Sequence, residues 1–241
     1  MKLTIFNGSP RGNTSNTRLI LDAFIEGFMS TEGNSYELSY LIHTEKREEQ
    51  VAMFRNAEHL LLAFPLYTDA MPFPVKSFIE SLEPLCNEAS NPDIGFIVQS
   101  GFPETVHSRY LERYLGKLAL RLKCGYKGSV IKGGVEAMKL LPLLDNIFLR
   151  WFCKFGALTD FAGVGHFLDK EKLTNSFKKL GREFGVSGKF DNDIVKGLTE
   201  PDRIGAFGFW AFKFLSHNLY WDLVLRRNNA FAMRFDRPYA G

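Results

Sequence analysis

Residues 2–17 read KLTIFNGSPRGNTSNT. The first five form a short apolar run that Asn7 and Gly8 end, which predicts a β-strand followed by a tight turn. The rest concentrates hydroxyls, amides and one arginine directly before a helical pattern that begins near Leu19. A strand that leads through a polar loop into a helix is typical of doubly wound α/β folds, which bind ligands at the carboxyl ends of their strands.

Four more apolar runs follow this first unit. They are predicted as strands over 36–41, 59–64, 94–98 and 127–131. Continuous apolar strands are typical of a parallel sheet that is covered on both faces. Helical periodicity between the runs predicts amphipathic helices, and a last helix over 169–184 should follow the fifth strand. The alternation predicts a parallel sheet with right-handed crossovers.

Composition and charge exclude several classes of protein. The 241 residues are 45% hydrophobic and 24% charged, which is typical of a globular chain. The net charge of the chain is +3. Residues 203–241, with six basic and two acidic residues, carry +4, so residues 1–202 carry −1. A nearly neutral body argues against a nucleic-acid partner. The three cysteines lie far apart and the five histidines lack metal-ligand spacing, so we expect no metal site. With no signal region at the start, we expect a cytoplasmic protein.

The polar loop predicts an anion site. Free N–H groups and the positive dipole end at a helix start favour an anion, and Arg11 can add a charge-assisted hydrogen bond. A nucleotide-triphosphate loop is excluded because no lysine follows Gly12, and GxGxxG is excluded because Pro10 stands where its second glycine belongs. Helix capping alone would explain only one or two of these polar residues, so a ligand is the favoured interpretation.

The loop GSPRGNTSNT resembles the phosphate loop of the flavodoxin-like NAD(P)H-dependent FMN reductases, a family that includes quinone reductases, azoreductases and iron–sulfur flavoproteins. In that family the loop holds the 5′-phosphate of FMN. The phosphate ligands that the resemblance implies are Ser9, Arg11, Ser15, Asn16 and Thr17. The iron–sulfur members carry a cysteine cluster after the second strand. Because 41–49 contains no cysteine, a cluster is excluded here.

Two later loops extend the resemblance over roughly residues 1–135. PLYTDAMP, 65–72, is similar to the family's PLYxxxMP loop along the isoalloxazine ring, and QSGFPE, 99–104, is similar to the loop that closes over the other side of the ring. The implied flavin contacts are Pro65, Leu66, Tyr67, Thr68, Met71, Ser100, Gly101 and Phe102. Read from the residues alone, both segments could also be ordinary turns that lead into helices, with their aromatic residues in the core.

The resemblance implies a flavodoxin-like three-layer sandwich whose five parallel strands lie in the order 2-1-3-4-5. We expect the FMN-binding domain over 1–190, with a helical insertion at about 136–166, and an aromatic-rich C-terminal extension over 191–241. The last 39 residues contain ten aromatic residues, a density that requires burial against the domain, a second subunit or a membrane surface. Because family members are commonly homodimers, a subunit interface is favoured over a membrane surface.

The activity that the resemblance implies is that of an NAD(P)H-dependent oxidoreductase. A hydride would pass from NADH or NADPH to bound FMN, and the electrons would then reduce a small acceptor such as a quinone, flavin, azo or nitro compound. Because the cofactor carries the redox chemistry, no catalytic side chain is expected. Two alternatives stay open: a flavodoxin-like electron-transfer protein, and a non-catalytic protein whose loop holds another phosphate ligand.

Overall fold

The computed structural model describes residues 1–67, 70–86, 88, 91–101, 108–135, 170–199 and 221–236. Five strands form one parallel sheet in the order β2-β1-β3-β4-β5. They are β1 (Lys2–Asn7), β2 (Ser35–Tyr40), β3 (His59–Leu66), β4 (Asp93–Ser100) and β5 (Tyr126–Lys132). The predicted strand order is confirmed, and every strand ends within two residues of its predicted bounds.

The described residues contain seven α-helices, numbered in chain order. They are α1 (Asn16–Phe28), α2 (Arg47–Arg55), α3 (Phe73–Ser81), α4 (Ser108–Arg121), α5 (Lys170–Ser187), α6 (Asn192–Thr199) and α7 (Trp221–Arg227). The first five lie where the periodicity predicts them, whereas α6 and α7 were not predicted. Within the described part of the chain, none of the helices combines the length and the apolar character needed to cross a lipid bilayer.

The sheet separates two hydrophobic cores, because successive strand residues point to opposite faces. In β3, Leu60, Leu62 and Phe64 belong to the first core, and Leu61 and Ala63 belong to the second. The first core is closed by α2, α3 and α4, and the second by α1, α5 and α6. This arrangement confirms the predicted flavodoxin-like three-layer sandwich.

Helices α1 and α5 are in backbone contact. A Cβ atom at Gly27 would lie 1.8 Å from the carbonyl oxygen of Lys178, and one at Gly181 would lie 1.9 Å from that of Phe24. Only glycine permits so close an approach. The contact holds α1 against the sheet, and it thereby fixes the position of the first helix turn at the carboxyl edge.

Strand β3 extends two residues beyond its predicted end, through Pro65 and Leu66. Proline lacks an N–H, so it is expected to end a central strand. Here the N–H of Gly8 donates to the carbonyl of Ala63, so the backbone groups of Ala63 face β1. Backbone groups two residues apart in a strand face the same side, so Pro65 also faces β1, but β1 has already ended at Asn7. No ladder hydrogen bond is therefore lost, and pairing with β4 continues to Leu66.

The chain divides into two compact units. The first comprises 1–138 and 169–201, and so contains the sheet and α1 to α6. The second comprises 139–168 and 202–241, of which 221–236 are described. The predicted helical insertion at 136–166 lies outside the described residues. The predicted domain boundaries remain a prediction.

Candidate cofactor site

The loop after β1 is a braced polar turn. The N–H of Ser9 donates to Asn7 Oδ1 at 2.9 Å, and Asn7 Nδ2 donates to the carbonyl of Gly12 at 3.5 Å. Ser9 Oγ accepts from the N–H of Arg11 at 3.3 Å. Gly12 has a φ of +55°, a left-handed conformation that favours glycine. Asn7 was not predicted as a site residue, although an Asn-Gly pair at a strand end is a turn signal.

Gly8 allows this loop to lie directly against α3. Its N–H donates to the carbonyl of Ala63 at 2.7 Å. A Cβ atom at this position would lie 2.2 Å from Val75 Cγ2 and 3.0 Å from Phe64 Cβ. A side chain here would therefore displace the loop from the sheet edge.

Ser15 caps the first helix. Its Oγ accepts from the N–H of Arg18 at 3.0 Å and donates to the carbonyl of Gly12 at 2.7 Å. The hydroxyl proton is thus committed within the loop, and capping accounts for this residue in the structure. Asn16 Nδ2 donates to the carbonyl of Val135 at 3.4 Å, which ties the start of α1 to the segment after β5. The predicted roles of both residues as phosphate ligands remain predictions.

Thr17 carries the most informative atom of the loop. The residue is 1% exposed, and its Oγ1 has no hydrogen-bond partner among the described residues. A buried hydroxyl without a partner costs about 1–3 kcal/mol. It lies in the first turn of α1, where the helix dipole favours an anion. The predicted cation, Arg11, has an exposed side chain at the other end of the same loop.

Arg18 was not predicted, and it fastens β2 to α1. Its Nη1 donates to Tyr40 Oη at 2.7 Å, and its Nη2 pairs with Asp22 Oδ1 at 2.7 Å. Burial alone would lower the pKa of Arg18, but the hydrogen bonds and charges of Asp22 and Tyr40 together outweigh it and raise that pKa. Because Asp22 neutralises this guanidinium, Arg18 positions the loop more than it adds charge. The i,i+4 spacing of Arg18 and Asp22 is the sequence signal for this pair.

The second loop presents Tyr67. Pro65 and Leu66 are buried within β3, whereas Tyr67 is 48% exposed. The N–H of Tyr67 donates to the carbonyl of Ala70 at 2.9 Å, and the N–H of Ala70 donates back at 3.0 Å. These two bonds link Tyr67 to Ala70. Residues 68 and 69 lie outside the described residues, and with them Thr68, which was predicted as a flavin contact.

Two further side chains follow this turn. Met71 is half-buried and packs against the first core. Phe73 begins α3 and is 70% exposed, although it was not predicted as a site residue. Its position immediately after the Met-Pro pair is the signal that could have identified it. Tyr67 and Phe73 are thus the exposed aromatic residues on this loop.

The third loop is described only in part. Ser100 ends β4 and is 7% exposed, and Gly101 is exposed. Phe102 lies outside the described residues. Ser108 begins α4, and its buried Oγ has no partner among the described residues. Lys132 ends β5 and is 8% exposed. It was not predicted as a site residue, because a single lysine at the end of an apolar run is not a recognisable motif.

The sheet brings the three loops to one edge. Asn7 pairs in register with Ala63, and Leu66 pairs with Ser100. Since the strands are parallel, the loops after β1, β3 and β4 leave from neighbouring positions at the same edge. Strand β2 lies on the other side of β1, so the direction of the strand order reverses between β1 and β3. Doubly wound folds bind their ligands at such a switch point.

Comparison with known proteins agrees with this architecture. Residues 1–82 match the family model described as a flavodoxin-like fold. The flavodoxin-like character of the predicted resemblance is confirmed. No curated protein matches the chain.

Three solved structures illustrate the similarity in fold. An NAD(P)H:quinone oxidoreductase from Methanothermobacter marburgensis is 15% identical, with a TM-score of 0.55 over 76% of this chain and 96% of that one. An FMN-dependent NADH-azoreductase from Bacillus anthracis str. Ames Ancestor, in complex with FMN, is 14% identical, with a TM-score of 0.52 over 77% and 98%. An azoreductase from Bacillus anthracis str. Sterne is 10% identical, with a TM-score of 0.50 over 77% and 98%. At these identities the similarity shows the fold alone.

Proposed function

We propose that this flavodoxin-like chain is an FMN-dependent NAD(P)H oxidoreductase that reduces a small acceptor. The observation that carries the proposal is the buried Thr17 hydroxyl, which lacks a partner among the described residues at the start of α1. It lies in the first turn of α1, directly after the polar loop at the switch point of the sheet. The quinone oxidoreductase and the azoreductases of the same fold support this kind of reaction.

The phosphate end of FMN fits the loop after β1. A phosphate oxygen placed at the start of α1 would supply the acceptor that Thr17 lacks, and the helix dipole would favour its charge. Arg11 would add a charge-assisted hydrogen bond from the solvent side. Ser9 and Ser15 hold the loop in the shape that presents these groups, through bonds of 2.7–3.3 Å.

The ring end fits the other two loops. Tyr67 offers an exposed aromatic face, and its backbone is held by two hydrogen bonds to Ala70, so little backbone freedom is lost when a ring packs against it. Gly101 has no side chain and allows a ring to approach the backbone after β4. Phe73 extends the apolar surface toward solvent, where an aromatic acceptor could stack.

Bound FMN would supply the redox chemistry, accepting a hydride from the nicotinamide, which leaves as NAD(P)⁺, and passing two electrons to the acceptor. The acceptor gains two protons as well, and one of them must come from solvent. The chain's own residues bind, orient and stack the reactants. The class of small acceptor, the homodimer and the cytoplasmic location remain predictions from the sequence, which left the choice between NADH and NADPH open.

The decisive experiment is an absorption spectrum of the purified protein after incubation with FMN, followed by anaerobic addition of NADH or NADPH. We expect a bound flavin spectrum that stoichiometric nicotinamide bleaches. A protein that is colourless after unbound FMN has been removed on a desalting column would contradict cofactor binding. A protein that binds FMN but is not bleached would instead be an electron-transfer protein.

Arg11→Ala tests the phosphate assignment. Loss of a hydrogen bond to a charged group should weaken FMN binding by about 1.5–3 kcal/mol, or roughly 10- to 150-fold. Isothermal titration of the apoprotein measures the change. Arg182→Ala, which removes an exposed cation from α5 in the same unit, is the matched control and should bind FMN normally. Equal affinities of the two variants would contradict the assignment of the loop.

A further inference from the structure

The described part of the second unit, 221–236, carries arginine side chains stacked on phenylalanine rings. The guanidinium carbon of Arg226 lies 4.0 Å from the ring centroid of Phe231, and that of Arg234 lies 4.1 Å from the same centroid. Arg234 also lies 4.8 Å from the centroid of Phe235. We call Arg226, Arg227, Phe231, Arg234 and Phe235 the Arg–Phe cluster.

The backbone after α7 holds the cluster together. Asn229 has a φ of +54°, and the N–H of Ala230 donates to the carbonyl of Leu225 at 2.8 Å. This is the reversal that commonly ends a helix, in which a residue in the left-handed region turns the chain back. It brings Phe231 back to Arg226 in the last turn of the helix, and Arg234 stacks on the same ring.

The cluster is positively charged and apolar at its surface. The three arginines are exposed, Phe235 is 81% exposed and the adjacent Met233 is 56% exposed. Arg234 lies 3.7 Å from Asp222, and Asp236 follows Phe235, so residues 221–236 carry three arginines against two carboxylates, a net charge of +1. Within the described residues, no carboxylate forms an ion pair with Arg226 or Arg227.

We propose that the Arg–Phe cluster binds an anionic lipid surface. Exposed guanidinium groups donate hydrogen bonds to lipid phosphates, and a phenylalanine and a methionine beside them can enter the boundary between headgroups and acyl chains. The neighbouring sequence is consistent with this partner, because 204–220 contains six aromatic residues, one lysine and no acidic residue. A nucleic acid is disfavoured because it has no apolar layer to cover Phe235 and Met233, and because 1–202 sums to −1.

This proposal does not depend on the proposed enzymatic function, and vesicle co-sedimentation of the full chain tests it directly. The vesicles contain 30% phosphatidylglycerol in phosphatidylcholine, or phosphatidylcholine alone. We expect binding to the anionic vesicles that falls at 0.5 M salt. Removing two cations in Arg226→Gln/Arg227→Gln should weaken it roughly 30-fold. The matched control, Lys179→Gln/Arg182→Gln on α5, makes the same change in charge and should bind as the unaltered chain does.

A second variant separates the apolar contribution and does not depend on the packing of Arg226 on Phe231. Phe235→Ser changes the most exposed ring of the cluster, so we expect an unchanged circular dichroism spectrum and several-fold weaker vesicle binding. Val186→Ser, which changes a 69% exposed apolar residue of α5, is its control. Absence of binding by the unaltered chain, equal binding to both kinds of vesicle, or equal binding by cluster and control variants would overturn the proposal. Binding to a polyanionic nucleic acid or acidic peptide without binding to vesicles would also overturn it.

Discussion

Thr17→Val should stabilise the apoprotein and weaken its affinity for FMN. Valine keeps nearly the shape of threonine but replaces the hydroxyl with a methyl group. Since Thr17 Oγ1 is buried and has no partner among the described residues, the substitution removes an unsatisfied polar atom and sacrifices no hydrogen bond seen in the structure. The same change removes the hydrogen that a phosphate oxygen would accept.

The two effects have opposite signs and similar sizes. An unsatisfied buried hydroxyl costs about 1–3 kcal/mol, so the free energy of unfolding of the apoprotein should rise by that amount. For a protein of this size each kcal/mol corresponds to about 2–4 °C in Tm, so the apoprotein should gain at least about 2 °C. A hydrogen bond to a charged group contributes about 1.5–3 kcal/mol, so FMN affinity should fall roughly 10- to 150-fold.

Differential scanning calorimetry with and without FMN, together with titration of flavin fluorescence, measures both quantities. Thr4→Val is the matched control, because Thr4 is also 1% exposed but its Oγ1 donates to Glu37 Oε1 at 2.7 Å. This variant should lose stability and keep its FMN affinity. A lower Tm for the Thr17→Val apoprotein, or an unchanged affinity for FMN, would refute the reasoning about this hydroxyl.

Three further predictions address the packing, the acceptor and the cysteines. Gly181→Ala should destabilise the protein by about 1–3 kcal/mol in urea unfolding, because the added Cβ would overlap the backbone of α1. Gly197→Ala, with open space around it, should stabilise the protein by about 0.8–1 kcal/mol. Equal effects of the two substitutions would contradict the backbone contact between α1 and α5. Phe73→Ala should raise the KM for an aromatic quinone about 2- to 10-fold without slowing flavin reduction by the nicotinamide, and an unchanged KM would remove this ring from the acceptor site. Burial raises the pKa of Cys124 to about 12, so its thiol stays neutral at pH 8 and iodoacetamide should modify the half-buried Cys86 before Cys124. Mass spectrometry that finds Cys124 modified as quickly as Cys86 would count against that burial.

The spacing of apolar residues along the sequence predicted most of the fold. The strands and α1 to α5 were predictable because each buries its own apolar face, and that pattern is visible within a few residues. The end of β3 was not predictable, since the tolerance for Pro65 depends on where β1 stops, which is a relation between distant segments. Helix α6 was missed although Ile194, Val195 and Leu198 have helical spacing, because its eight residues make only about two turns.

The candidate site was predictable as three loops, and less so as individual contacts. Residue types and order identified the polar loop and the turn at Tyr67. The sequence could not show that the Ser15 hydroxyl donates to the carbonyl of Gly12, or that the Thr17 hydroxyl has no partner among the described residues, because hydrogen-bond partners depend on the folded geometry. The bond between Arg18 and Tyr40 was hidden for the same reason, since it joins residues 22 positions apart.

The backbone contact between α1 and α5 also has a consequence for synthesis on the ribosome. Lys178 lies 152 positions after its partner on α1, Glu26. At translation rates of about 5–20 residues per second, the phenylalanines of the first helix wait roughly 8–30 s for the helix that covers them. During that interval the apolar face of α1 lies uncovered on the nascent chain. We therefore expect a chaperone to bind this face before α5 is synthesised rather than afterwards.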